Sequence, residues 1–83
     1  MRTVVLYGRP ECHLCDEARD ILQELIARAG DVEMQELNIE EDEGLLRSFL
    51  ERIPVIELDG LVIGELVPDR TVLEATLLNT PAR

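Results

Sequence analysis

Two cysteines and a histidine lie together near the start of the chain, in the segment YGRPECHLCDEA (residues 7–18). Cys12 and Cys15 are the only cysteines among the 83 residues, and His13 is the only histidine. A thiolate is the form of cysteine that attacks disulfides and binds metals, and two cysteines spaced C-x-x-C can act on the same bond or ion. These residues therefore indicate either thiol–disulfide exchange or metal binding.

The elements around the pair favour redox chemistry. Thr3–Tyr7 is apolar and β-branched, which predicts a short buried strand. A helix is predicted from about Cys12 to Ala29, because its apolar residues recur at three- and four-residue spacing, and Gly30 is a suitable C-cap. Cys12 then lies at the helix N-terminus, where free amide groups and the helix dipole stabilise a thiolate. Cys15 lies one turn further in, and we expect it to be the more buried cysteine and to resolve a mixed disulfide.

His13 has two interpretations. It is either a solvent-facing residue that tunes the neighbouring thiol, or a general base or metal ligand. Cys12, His13 and Cys15 supply at most three soft ligands, whereas a structural zinc site has four. A metal site would therefore need a second chain or an external thiol such as glutathione.

The rest of the chain predicts one α/β domain covering residues 1–83. Asp31–Ile39 is a second strand, and the acidic run Glu40–Glu43 leads into a short helix. The inward-facing residues predicted for that helix are Leu45, Leu46, Phe49 and Leu50. A helix between two strands indicates a parallel pair with a right-handed crossover.

The C-terminal part predicts a hairpin followed by a helix. The strands Pro54–Gly60 and Leu61–Leu66 meet at the tight turn Asp59-Gly60. A last helix starts at Pro68 and ends at Asn79, Thr80 and Pro81. The order β-α-β-α-β-β-α gives a mixed four-stranded sheet flanked by three helices.

The composition narrows the classes of partner. The formal net charge is −10, which disfavours binding to nucleic acid and to anionic membrane surfaces. No apolar stretch approaches the roughly 18 residues needed to span a bilayer, and the N-terminus lacks the features of a signal peptide. We expect a cytoplasmic, monomeric protein with no membrane or nucleic-acid partner.

At this point the chain resembles a known family. The strand, GRPECHLC, the helix, RIPVIELDG and VIGE follow one another as in glutaredoxins, which have the thioredoxin fold. The likeness is greatest to small glutaredoxin-like proteins with the sequence C-H-L-C. It implies that Cys12 attacks, that Cys15 resolves, and that Pro54 is a cis proline beside them; the alternative is that Pro54 only begins an edge strand.

The resemblance also implies a substrate-binding surface. Ile53 would offer its backbone N–H and C=O to an extended substrate. The residues of this surface, apart from the two cysteines, are Arg9, Pro10, His13, Leu14, Arg52, Ile53, Pro54, Gly64 and Glu65.

Three departures from the family concern glutathione. The usual C-P-Y-C is C-H-L-C here, T-V-P is Arg52-Ile53-Pro54, and the Gly-Gly pair is Gly64-Glu65. An acidic Glu65 should weaken binding of a peptide with two carboxylates. Arg9 and Arg52 either form a basic rim that contacts a carboxylate or are ordinary surface arginines.

Three functions remain open from the sequence. The first is a dithiol–disulfide oxidoreductase that acts on a disulfide-containing protein or a glutathione mixed disulfide. It would hold no cofactor and would be reduced by glutathione or by a thioredoxin-reductase-type partner. The second is a metal-binding or metal-delivery module. The third is a module of the same fold that acts by binding partners, with little redox turnover.

Overall fold

The computed structural model describes residues 1–78 as four strands and three α-helices. Their bounds are β1 (Arg2–Gly8), α1 (His13–Ala29), β2 (Val32–Asn38), α2 (Glu43–Phe49), β3 (Val55–Leu58), β4 (Leu61–Glu65) and α3 (Arg70–Leu78), with a 3₁₀ turn at Ile39–Glu41. The predicted end of the last helix at Asn79–Pro81 lies outside the described residues. Within residues 1–78, no helix combines the length and the apolar character that crossing a membrane requires.

The four strands form one mixed sheet in the order β2-β1-β3-β4. β1 pairs in parallel with β2, so that Arg2 lies opposite Val32 and Gly8 opposite Asn38. β3 is antiparallel to β1 and to β4, and its pairing with β4 is irregular between Ile56 and Glu57. The predicted fold class, a four-stranded α/β sheet with three helices, is therefore confirmed.

The core lies between one face of the sheet and the helices α1 and α3. Successive strand residues alternate between the two faces, and the inward ones are apolar. The burial of Ala18, Leu22 and Leu25 confirms the predicted inner face of α1. The core cluster consists of Val4, Leu6, Ala18, Leu22, Leu25, Val32, Ile56, Leu73 and Leu77.

Helix α2 departs from its predicted packing. None of its residues is fully buried, and Leu50, expected to face inward, is its C-cap and is 44% exposed. A helix of seven residues makes only two turns, so it presents one narrow line of side chains to the sheet. Phe49 occupies that line and packs against Tyr7 of β1, with ring centroids 4.7 Å apart.

The β3–β4 hairpin turns at Asp59-Gly60, as predicted. Both residues have positive φ, 49° for Asp59 and 91° for Gly60, which is the combination that a type I′ turn requires. Asp59 also continues the pairing with β1. Its N–H donates to the Thr3 carbonyl and its Oδ1 accepts from the Thr3 N–H, both at 2.9 Å.

The turn predicts different losses of stability for two substitutions of Asp59. Asp59→Ala removes the acceptor of the Thr3 N–H and places a Cβ-bearing residue without a polar side chain at positive φ. We expect it to lower the free energy of unfolding by about 1–2 kcal/mol. Asp59→Asn keeps an acceptor and tolerates this conformation, so it should cost much less. Urea denaturation of both variants measures the difference, and equal losses would contradict the role given to the side chain.

Candidate active site

The position of the cysteines depends on a close approach between α1 and the end of β1. A Cβ placed on Gly8 would lie 3.1 Å from Cys15 Sγ and 3.2 Å from Cys15 Cβ. These distances are at the short limit for non-bonded contact, so the hydrogen of glycine is what admits the cysteine here. Cys15 is 1% exposed as a result.

Cys12 lies at the surface end of the same helix. It is the N-cap of α1, with extended backbone, and its carbonyl accepts from the Asp16 N–H at 3.0 Å. Its Sγ is bonded to that of Cys15 in a disulfide, and it also accepts from the Cys15 N–H at 3.1 Å. Cys12 is partly exposed. The structure thus gives the predicted order of burial, with Cys15 behind Cys12.

A cis peptide bond joins Ile53 to Pro54, as the resemblance implied. Tyr7 of β1 lies opposite Val55 of β3 in an antiparallel pair. Continuing this register by one residue brings Pro54 level with Gly8, and Gly8 is the residue against which Cys15 packs. The strand register therefore brings Pro54 to the cysteine pair.

The backbone before Pro54 corrects one expectation. Ile53 was expected to offer its N–H to a substrate, but this N–H donates to the Phe49 carbonyl at 3.1 Å. The Arg52 N–H donates to the same carbonyl at 2.8 Å. The cause is that the end of α2 continues as a turn up to the proline, and the turn uses the amide groups that a free loop would leave available.

The only two aromatic residues of the chain, Tyr7 and Phe49, lie next to this loop, although no motif in the sequence assigns them a function. The Tyr7 ring packs on the Phe49 ring, and the Arg52 guanidinium lies over the Phe49 ring, 5.0 Å from its centroid. The Tyr7 hydroxyl donates to the Glu57 carboxylate at 3.0 Å. The one signal for them in the sequence is their scarcity, because a chain with only two aromatic residues has few rings on which an arginine can stack.

The two arginines predicted for a basic rim are both engaged by carboxylates. Arg9 Nε is 3.2 Å from Glu40 Oε2. Arg52 donates to Glu65 through a short hydrogen bond, and this bond is the largest cause of a lowered pKa at Glu65. The rim is therefore formed by ion pairs rather than by free cations.

The residue after Glu65 is hydrogen-bonded to the segment that carries Arg52 and Pro54. Leu66 has a positive φ of 64°, which is uncommon for a residue with a bulky side chain. Its N–H donates to both the Arg52 carbonyl at 3.1 Å and the Pro54 carbonyl at 3.0 Å. Gly64, just before, faces the core, where a Cβ would meet Ile56 at an ordinary 3.6 Å.

The other residues expected at the surface take different positions. His13 is 87% exposed and its Nε2 lies 3.1 Å from the Glu17 carboxylate, one turn along the helix. Leu14 is partly buried and Pro10 is exposed in the turn after β1. Among residues 1–78, no three side chains of the types His, Cys, Asp and Glu are grouped to hold a metal ion.

Pro10 and Arg9 also border a polar cleft of about 340 Å³ between the first turn of α1 and the end of β2. Arg19 lies in this cleft, bound to both Asp16 and Glu36. The cleft is on the β2 side of the loop, whereas Pro54 is on the β3 side. One side of the cysteine pair therefore faces a polar cleft and the other side faces the cis proline.

Comparison with known proteins agrees with this geometry. Residues 3–77 match the sequence model of the glutaredoxin-like domain (DUF836). The solution structure of protein Ne2328 from Nitrosomonas europaea is 32% identical, with 92% of this chain and 91% of that chain covered and a TM-score of 0.75. The X-ray structure of XcR50 from X. campestris is 29% identical, with 94% and 99% covered and a TM-score of 0.66.

Similarity in fold extends to thioredoxins. Oxidised mitochondrial thioredoxin 3 from Saccharomyces cerevisiae is 22% identical, with 95% of this chain and 78% of that chain covered and a TM-score of 0.71. No match was found among curated proteins.

The environment of Tyr7 predicts its titration. Burial, followed by the hydrogen bond to Glu57, raises the pKa of Tyr7 above its ordinary value of 10.0. The neutral phenol therefore contributes stability that is complete below pH 10 and lost as pH rises through the folded pKa. We expect Glu57→Gln to lower this pKa while leaving the effect of burial.

Absorbance at 295 nm follows this titration without interference, because Tyr7 is the only tyrosine and the chain has no tryptophan. Glu33→Gln is the control, since Glu33 is an exposed carboxylate on β2. A midpoint that moves equally in both variants would mean that Tyr7 responds to net charge and not to its partner.

The close approach at Gly8 predicts a second pair of outcomes. Gly8→Ala forces the added methyl group against Cys15, and we expect the oxidised protein to lose about 1–3 kcal/mol of unfolding free energy. Gly64→Ala adds the same group at an ordinary contact distance and should be close to neutral. Urea denaturation compares them, and a neutral Gly8→Ala would show that the strand end can move away from the cysteine.

Proposed function

The chain belongs to the glutaredoxin-like family, and we propose that it is a thiol–disulfide oxidoreductase that uses Cys12 and Cys15. The observation that carries the proposal is the arrangement of one disulfide across the N-terminus of α1, with a partly exposed Cys12 and a buried Cys15. Pro54 next to the pair supports it. Members of the fold differ in activity, so the site and not the fold is the reason for this choice.

The reaction starts from the reduced protein. The Cys12 thiolate attacks one sulfur of the substrate disulfide, the substrate S–S bond breaks, and the second substrate sulfur leaves as a thiolate that takes up a proton. In the reduced protein, the Cys15 N–H and the positive end of α1 favour the thiolate of Cys12. Cys12 is therefore the attacking group.

The second step closes the disulfide seen in the structure. Cys15 loses its proton and attacks Cys12 Sγ, so that the mixed disulfide breaks and the substrate sulfur leaves as a thiolate. The substrate disulfide has gained two electrons and the protein has lost them; of the two protons that the substrate sulfurs finally carry, one comes from Cys15 and one from solvent. A donor then reduces the Cys12–Cys15 bond by the reverse exchange. The substrates would be disulfide-containing proteins or glutathione mixed disulfides, met in the cytoplasm by a monomeric protein.

Two single substitutions test this order of attack. Reduction of insulin disulfides, with dithiothreitol as the reductant, should fall to the uncatalysed rate in Cys12→Ser. Cys15→Ser keeps the attacking sulfur, so it should accumulate a mixed disulfide that mass spectrometry detects at Cys12. The proposal fails if the wild-type protein does not accelerate the reaction, or if the adduct forms in Cys12→Ser instead.

A further inference from the structure

The ion pair between Arg52 and Glu65 lies beside the cis proline, on the flank where a substrate or donor would meet the cysteines. Glu65 is opposite Val55 on the neighbouring strand, and Val55 directly follows Pro54. Leu66, the next residue, donates its N–H to the Pro54 carbonyl. The two charges are thus fixed to the same short segment that carries Pro54.

Several contacts keep Arg52 in this position. Its guanidinium binds the Glu65 carboxylate and lies over the Phe49 ring. The ring is itself held by Tyr7. A cation that is stacked on an aromatic ring and bound to a carboxylate has much of its attraction for another anion already satisfied.

We propose that the Arg52–Glu65 ion pair keeps Arg52 from binding the carboxylate of an incoming thiol beside Pro54. The site then discriminates against thiols that carry carboxylates, glutathione included, and accepts a cysteine in an uncharged protein segment. This inference rests on the proposed exchange chemistry and names the class of thiol that the site uses. The selected donor is a protein thiol, because an extended protein segment has no terminal carboxylates near its cysteine.

The other charges around the cysteine pair also disfavour an incoming carboxylate. The other predicted cation of the rim, Arg9, is bound by Glu40. Three exposed residues close to the cysteines in the sequence are acidic, namely Glu11, Asp16 and Glu17. An incoming carboxylate would therefore meet guanidinium groups that are already paired, with the Glu65 carboxylate beside Arg52, and like charges at close range repel.

The surface that continues from Glu65 is apolar. Leu66, Val67 and Val72 are 49%, 69% and 47% exposed. Val67 and Val72 border a groove of about 220 Å³ between the end of β4 and the start of α3. Exposed apolar surface next to a reactive site suits the side chains of a protein segment better than a small charged peptide.

The step to be measured is the opening of the Cys12–Cys15 bond. An incoming thiolate attacks Cys12 Sγ, the intramolecular S–S bond breaks, and Cys15 leaves as a thiolate that takes up a proton. Two probes are compared at equal thiolate concentration in low salt: glutathione, and an uncharged alanyl-cysteinyl-alanine capped at both ends. Acid quenching followed by mass spectrometry gives the rate constant for each.

We expect the wild-type protein to react faster with the capped peptide, by roughly threefold to tenfold. Glu65→Gln should bring the ratio of the two rate constants close to one, because it removes the repulsion and releases Arg52. Glu65→Ala should do the same and covers the case in which the glutamine variant folds poorly. The double variant Arg52→Gln/Glu65→Gln should lose most of the gain, since no guanidinium is left to attract the carboxylates.

Glu74→Gln is the matched control. Glu74 is a similarly exposed carboxylate bound to an arginine, Arg28, but it lies on α3 near the opposite end of α1. Its removal changes the net charge by the same amount and should leave the ratio unaltered.

Three results would overturn the inference: a wild-type ratio of one or less, an equal effect of Glu65→Gln and Glu74→Gln, or a double variant that keeps the full gain. In each case both probes still open the disulfide, so the proposed exchange chemistry stands. If neither probe opens it in any variant, the exchange chemistry and the selectivity fail together.

Discussion

The contact between Gly8 and Cys15 is the constraint on which the site depends. It fixes the first turn of α1 against the end of β1, and the register of β1 with β3 then places Pro54 opposite Gly8. Because Cys15 is buried by this contact, only Cys12 of the pair is left partly exposed. Burial of one sulfur and exposure of the other follow from one close backbone approach that a Cβ at position 8 would crowd.

The ion pairs depend on a different constraint, which is that acidic residues outnumber basic ones. The chain has 18 acidic residues and eight arginines. Each of the seven arginines within residues 1–78 is bound to at least one carboxylate. When carboxylates outnumber cations by more than two to one, an arginine near the site is more readily bound by the protein itself than kept free for a ligand. The basic rim predicted from Arg9 and Arg52 therefore has its charge largely compensated.

What the sequence predicted correctly is local or periodic. The inner face of α1 follows from three- and four-residue spacing, and the Asp59-Gly60 turn follows from the backbone preferences of those two residues. The pairings of Arg9 with Glu40 and Arg52 with Glu65 join residues 31 and 13 positions apart, and no periodicity indicates them. The use of the Ile53 N–H by Phe49 was missed for a similar reason, since it depends on how the end of α2 meets the loop. The cis form of Pro54 came from resemblance and not from any rule of spacing.

The two constraints act on different properties of the protein. Apolar packing and the Gly8 contact determine where the sulfur atoms lie, so changes there alter folding and chemistry together. Arg52 and Glu65 are exposed, and exposed ion pairs contribute little to stability because water and salt screen them. They act instead on whatever charged group approaches Pro54. The choice of thiol can therefore change through residues 52 and 65 while the strand register, the helix cap and the cysteine pair stay as they are.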